Sequence, residues 1–181
     1  MDFESYLSQL GEIYEEQGQS LLVSKGATSK EVISLEQVLG FPLDDHLKSA
    51  WQYANGSRSN QTIFARKDFF TGYEFLSIKD ALAQREGMKR RAPQYAEYSQ
   101  PEPRDARIEE GWFQPGWLPF ASFGGATLLL IVDYSPRKGK PGQIIAFTHD
   151  PDTIDFVCND FTHLLKESIK QISSEPEEYI Y

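Results

Sequence analysis

The apolar residues of this chain fall into two rhythms, one helical and one of strands. From Asp2 to Gln17, Phe3, Tyr6, Leu7, Leu10, Ile13 and Tyr14 recur on one broad face, which predicts an amphipathic helix. Gly11 within it costs about 1 kcal/mol relative to alanine, so this helix depends on tertiary support. Gly18 to Ala27 reads as a loop. Thr28 and Glu31 have the spacing of a capping box, and the helix behind them turns Val32, Leu35, Val38 and Leu39 inward before Gly40. Pro42 and Asp44 open a further helix with Leu47, Ala50, Trp51 and Ala54 on its apolar side, and Asn55-Gly56 is expected to end it by accepting positive φ.

From Thr62 the period shortens. Ile63-Phe64, Phe69-Phe70 and Tyr73 to Leu76 predict short strands divided by turns at Asp68 and Gly72. Ser77 with Asp80 starts another helix, with Ile78, Ala81, Leu82 and Met88 facing the core. Its basic end, Lys89-Arg90-Arg91, suits the negative pole of a helix C-terminus, with a functional basic patch as the alternative. Pro93 to Glu110, mixing prolines, tyrosines and alternating charges, reads as a long connection or a locally ordered insertion.

The stretch from Trp117 to Phe147 organises the rest. Trp117 to Phe123 reads as an aromatic turn, Gly124-Gly125 as a step, and Ala126 to Val132 as an almost wholly apolar run. So short a run suits a strand covered on both faces or a buried helix segment, and the flanking Gly124-Gly125 and Ser135-Pro136 favour the strand. Gln143 to Thr148 is its expected hairpin partner. Asp150-Pro151-Asp152 then makes a turn, Asp155 to Cys158 adds a short strand, and Asn159 or Asp160 starts a last helix carrying Phe161, Leu164, Leu165, Ile169 and Ile172. Ser173 to Tyr181 is an acidic extension expected to fray or to fold back through Tyr179 and Tyr181. With no internal repeat or low-complexity linker, one domain over 1–181 is expected: a core at 28–172, an N-terminal helix at 2–17 and a C-terminal extension at 173–181.

Composition narrows the partners. The formal charge of −9 opposes nonspecific binding to nucleic acid and favours a basic protein, although acidity also serves solubility alone. The lone Cys158 forms no internal disulfide. The N-terminal stretch lacks a basic-then-apolar leader, and no apolar run approaches the roughly 20 residues of a membrane span, so a cytoplasmic location is expected.

Catalytic patterns are sparse. Gly124-Gly125 lacks the further glycine or lysine of a phosphate loop. His46, His149 and His163 show no zinc spacing with Cys158, so neither a metal nor a cofactor is expected. Cys158 reads as packing rather than as a nucleophile. His149 with Asp150, Asp152 and Asp155 is the densest polar cluster; a solvated turn is the simpler reading, an acid/base centre the other. Trp117 and Phe123 read as core. Asp133, closing an apolar strand, is expected either to bond the backbone N–H groups of the following turn or to face solvent.

The segments LEQVLGFPLDDHLKSAWQYANG, GWLPFASFGG, VDYSP, GQIIAF, THD and FTHLLKESI, in that order, resemble the Smi/Knr-type family of the SUKH superfamily. Leu35, Glu36, Leu39, Gly40, Pro42, Leu47, Asn55 and Gly56 occupy one family pattern. Trp117, Pro119, Gly124, Gly125, Asp133, Gly142 and Gln143 occupy another. The resemblance spans roughly residues 28–172, loosely over 57–111. Phe41 and Ser135 depart from the usual leucine and acid, and 93–110 is longer than typical.

The resemblance implies an α+β fold with a curved, mainly antiparallel sheet flanked by helices. It also implies a non-enzymatic protein-binding role: an immunity protein that neutralises a toxin, such as a nuclease effector, or a regulator of cell-wall synthesis and signalling. Neither nucleic acid nor membrane is an expected partner. The candidate contacts are Asp150, Asp152, Asp155, Trp112, Glu109 and Glu110, on an acidic, aromatic-containing surface, because partner choice resides in variable loops.

Overall fold

The computed structural model describes residues 1–135 and 138–181. Pro136, the second half of the predicted breaker pair, lies outside the described residues. The fold is α+β. Strands β3 (Phe64–Ala65), β4 (Gly72–Phe75), β5 (Trp117–Phe123), β6 (Leu128–Asp133), β7 (Gln143–Thr148) and β8 (Thr153–Cys158) pair in chain order as an antiparallel sheet curled into a half-barrel. A two-stranded ribbon joins β1 (Val23–Lys25) to β2 (Ala54–Ser57). The helices are α1 (Phe3–Glu16), α2 (Ser29–Leu39), α3 (Asp45–Tyr53), α4 (Ile78–Arg91), α5 (Phe161–Ser174) and the short α6 (Pro176–Tyr179).

The local signals at helix starts hold. Asp2, Thr28, Asp44, Ser77 and Asp160 each cap a helix by accepting a hydrogen bond from a first-turn backbone N–H, and Thr28 with Glu31 closes the full capping box. Gly40 ends α2 at φ 79°.

The apolar run in β6 is explained by its two neighbours in the third dimension. Leu128, Leu130 and Val132 enter one hydrophobic cluster with α1, α3 and α5, whereas Leu129 and Ile131 enter a second, behind the sheet. Strand β7 divides likewise, with Ile144 and Ala146 in front and Ile145 and Phe147 behind. A sheet layered on both faces selects continuous rather than alternating hydrophobicity.

The rear cluster is roofed by the end of α4 and by the long connection after it. Met88 and Ile108 are buried there beside Trp117, with Trp112 and Phe113 at its margin. The connection therefore has a packing role. It opens with a 3-10 turn at Ala92–Tyr95 and carries no further regular element before β5.

Six expectations are corrected. Gly18 to Ala27, expected as a loop, contains β1, which Ala54–Ser57 recruits into the ribbon, and Gly72, expected at a turn, begins β4 opposite Ala65. Trp117 to Phe123 is strand β5 rather than a turn; a bulge between Pro119 and Ala121 accommodates the proline that lacks an N–H. Asn55-Gly56 lies inside β2, since α3 stops at Tyr53 and the chain passes directly into the ribbon. Phe69-Phe70 forms no strand, and Phe70 is 74% exposed. Val38 points outward at 66% exposure, at the side of α2 that fronts a groove toward α4. The extension folds back through Tyr179, whose hydroxyl donates to the Phe69 carbonyl at 2.8 Å, while Tyr181 stays exposed.

Side chains occupy part of both margins of the curled sheet. At β3, the Ser168 hydroxyl of α5 accepts from Ala65 N–H at 2.5 Å and donates to the Ala65 carbonyl at 2.9 Å. Tyr14 donates to the Thr62 carbonyl at 3.0 Å, and Tyr6 to that of Ile63. At β8, Tyr98 donates to the Asp152 carbonyl at 3.2 Å and Gln100 Oε1 accepts from Ile154 N–H at 3.3 Å.

Candidate functional site

Asp150 and Asp152 lie on the β7–β8 turn and Asp155 on β8, beside the connection at 95–112 that carries Glu109, Glu110 and Trp112. Tyr95 and Trp112 stack with ring centroids 4.5 Å apart, Tyr98 meets Trp112 edge-on at 5.4 Å, and Phe147 supports the indole from the sheet at 6.3 Å. Trp112 is thus half-buried in an aromatic cluster that anchors the connection.

Two arginines shape this segment from within. Arg104 stands over Trp112 at 5.2 Å, and its Nη1 donates to the carbonyls of Glu109 at 2.8 Å and Gly111 at 2.5 Å. Arg107 lies 3.3 Å above the Phe156 ring and grips Asp105 through Nε at 2.9 Å and Nη2 at 2.6 Å. These hydrogen bonds hold the Asp105 carboxyl down at about 2. Because its ordinary value of 3.8 is higher, the tie contributes fully above about pH 4 and is lost as the pH falls through about 2. Acid titration followed by the carboxyl NMR signal of Asp105 checks this; a midpoint near 3.8 would refute it.

With both guanidinium groups engaged, the outward field is set by carboxylates. Residues 95–112 and 149–155 together carry eight carboxylates against two arginines. Asp150 and Glu110 are exposed, and Glu110 approaches Lys138 at 3.6 Å. Asp152 is drawn inward, with Oδ1 2.8 Å from His149 Nδ1, and Asp155 accepts from the Thr153 hydroxyl at 2.8 Å. Glu109 is half-buried, and its Oε1 has no hydrogen-bond partner among the described residues. His149 itself is 59% exposed at the side chain, on a turn. The Asp150–Pro151 peptide is cis.

The motif residues act behind this face. Asp133 is 1% exposed and bonds the following turn: Oδ1 accepts from Ser135 N–H at 2.8 Å, and Oδ2 accepts from Gln143 Nε2 at 2.9 Å. The same Gln143 amide donates to the Arg107 carbonyl at 2.8 Å, so the base of the β6–β7 hairpin is tied directly to the acidic connection. Gly142, at φ 89°, donates its N–H to the Asp133 carbonyl at 2.7 Å. Gly124 and Gly125, both left-handed, form the β5–β6 loop, and Trp117 is fully buried behind the sheet. Sequence reasoning missed that Gln143 couples the motif to the variable segment. The signal lay in a buried amide opposite a buried acid, visible only once the hairpin register is known.

Cys158 sits among packed residues with its thiol donating to the Asp160 carbonyl at 3.4 Å, and burial pushes its pKa up to about 12. Iodoacetamide at pH 8 should therefore leave the native protein unmodified and label it once after denaturation; rapid native labelling would contradict the burial. Among the described residues, no cluster of His, Cys, Asp and Glu has the geometry of a metal site, and no helix is long and apolar enough to cross a membrane.

No curated protein is similar enough to the chain to count as a match. A family model does match, over residues 26–167, a span that runs from α2 to the first half of α5 and includes the acidic connection. With the curled antiparallel sheet, the buried Trp117 and the Asp133–Gln143 pair in place, the chain belongs to the SMI1/KNR4 family (SUKH-1).

Proposed function

We propose that this is a cytoplasmic, non-enzymatic binding protein of the immunity type, which neutralises a basic toxin by covering it with the acidic face built from residues 95–112 and the β7–β8 turn. The observation that carries this reading is the charge imbalance on a preshaped surface: eight carboxylates meet two arginines that are already engaged with backbone and ring partners. Family membership supports a protein-binding role, immune or regulatory. The partner contacts assigned to the face are Trp112, Glu109, Glu110, Asp150, Asp152 and Asp155. No cofactor or metal enters this reading.

An acidic face of this kind raises association rates by roughly 10 to 10³ at low salt, and the gain fades as the Debye length shortens. Co-expression with a toxin encoded beside this gene should restore growth. Replacing Glu97, Glu102, Glu110 and Asp150 together with lysine should slow association at least about tenfold at low ionic strength, with the difference closing near 1 M salt. Absence of both rescue and complex would remove the toxin reading and leave the regulatory branch of the family.

A further inference from the structure

We propose that the groove between α2 and α4 is a second docking site, for a short amphipathic helix of a protein partner whose apolar face is flanked by carboxylates. The groove encloses about 520 Å³, within the roughly 300–1,000 Å³ of typical ligand clefts. Leu35, Val38, Ile78 and Leu82 supply its apolar lining. Val38 is the residue whose spacing predicts a core position and whose side chain instead stands 66% exposed beside the groove; Ile33 on the same helix is 54% exposed. Helix α2 thus carries more apolar surface than this chain covers.

Charge selects the occupant. Lys30 on α2 and Lys79 on α4 line the groove, and neither makes an ion pair among the described residues. Glu31, the one carboxylate of the lining, is held by Thr28 N–H and Oγ1 at 2.7 Å each. Asn55 Oδ1 is likewise taken by Ile78 N–H at 2.9 Å. On a molecule of charge −9, this is an apolar trough with a cationic rim, the inverse of the acidic face. A ligand with flanking carboxylates is attracted here and repelled by most of the remaining surface.

The walls select a helix over a strand. Both are helices whose backbone groups bond within themselves, so the groove presents side chains and no free ladder. Apolar anchors three and four residues apart on one helical face match such a trough. The site also stands clear of the acidic face. Lys79 is in the first turn of α4 and Arg91 ends it, a separation of about 18 Å along the helix.

The test is an NMR titration of the whole protein with two synthetic 14-residue helical peptides. Both carry leucines at i, i+3 and i+7; one has glutamates flanking them, the other lysines. Amide shifts confined to residues 29–39 and 78–83, with the glutamate peptide at least tenfold tighter, are the expected result. The Lys30→Glu/Lys79→Glu variant should reverse the preference, and Val38→Asp should weaken binding at least tenfold with an unchanged spectrum of the free protein. The proposal is overturned by silent α2 and α4 amides at millimolar peptide, by equal affinity for the two peptides, or by shifts located in 95–112. It is also overturned by a concentration-dependent dimer that Val38→Asp dissociates, since a second copy would then fill the groove. None of these outcomes depends on toxin rescue, which tests the acidic face separately.

Discussion

Trp51→Ala should destabilise the protein by about 3–5 kcal/mol, a large share of the 5–15 kcal/mol that holds an ordinary domain together. Trp51 is fully buried on α3 and stacks on Phe75 of β4, with ring centroids 5.9 Å apart and planes 17° from parallel. Its Nε1 donates to the Leu76 carbonyl at 2.9 Å, just before the Ser77 cap of α4. The substitution therefore opens a cavity between helix and sheet and also strips a buried carbonyl of its donor, two penalties that act at one place. Urea unfolding should show a much lower midpoint with an unchanged slope. A loss below about 1 kcal/mol would mean that α3 is not seated on β4 in this way.

The second large effect is expected at Trp117, behind the sheet. Trp117→Ala should also cost about 3–5 kcal/mol, but its consequence is directional. Trp117 shares the rear cluster with Ile108, Leu129, Ile131, Ile145 and Phe147, so the cavity lies directly under the connection that bears the carboxylates. Its backbone carbonyl still accepts from Arg85 Nε at 3.0 Å, and the Gln143 tie to Arg107 is untouched. Hydrogen exchange should accelerate first in residues 95–116 and only later in β6 and β7, and affinity for a basic partner should fall more than the far-UV spectrum changes. Uniform acceleration across the chain would show that the roof and the sheet open as one unit.

How much of this was readable in advance depends on the range of the interaction concerned. Thr28 with Glu31, Ser77 with Asp80, and Asp160 act within one helical turn, and the sequence states them openly. The β6 run was readable as a strand from its length and glycine flanks, and its coverage on both faces followed. Errors appeared where a distant element decides. Trp117 to Phe123 becomes a strand only because β4 and β6 lie on either side and a bulge absorbs Pro119. Asn55-Gly56 has the composition of a helix stop but is recruited by Val23–Lys25 into a ribbon. Val38 follows the inward period, yet the space opposite it is a groove.

The acidic face was half legible. Its carboxylates were visible as residues on a turn and a long connection, and the resemblance marked the hairpin that supports them. The seating of the connection on the sheet was not visible, because it depends on Trp112 stacking against Tyr95 and on Gln143 reaching Arg107 across 36 positions of chain. Such pairings leave no periodic trace. The two arginines are the clearest instance: by composition they dilute the negative charge, whereas by position they brace the loop that displays it.

The hydroxyl and amide groups stationed along both margins of the sheet carry a consequence for life at high concentration. Ala65 has both backbone groups engaged, and the Asp152 carbonyl and the Ile154 N–H are taken as well, so an extended segment from a neighbouring molecule finds no foothold at those groups. Association at these groups is closed to strand addition and is left to side chains.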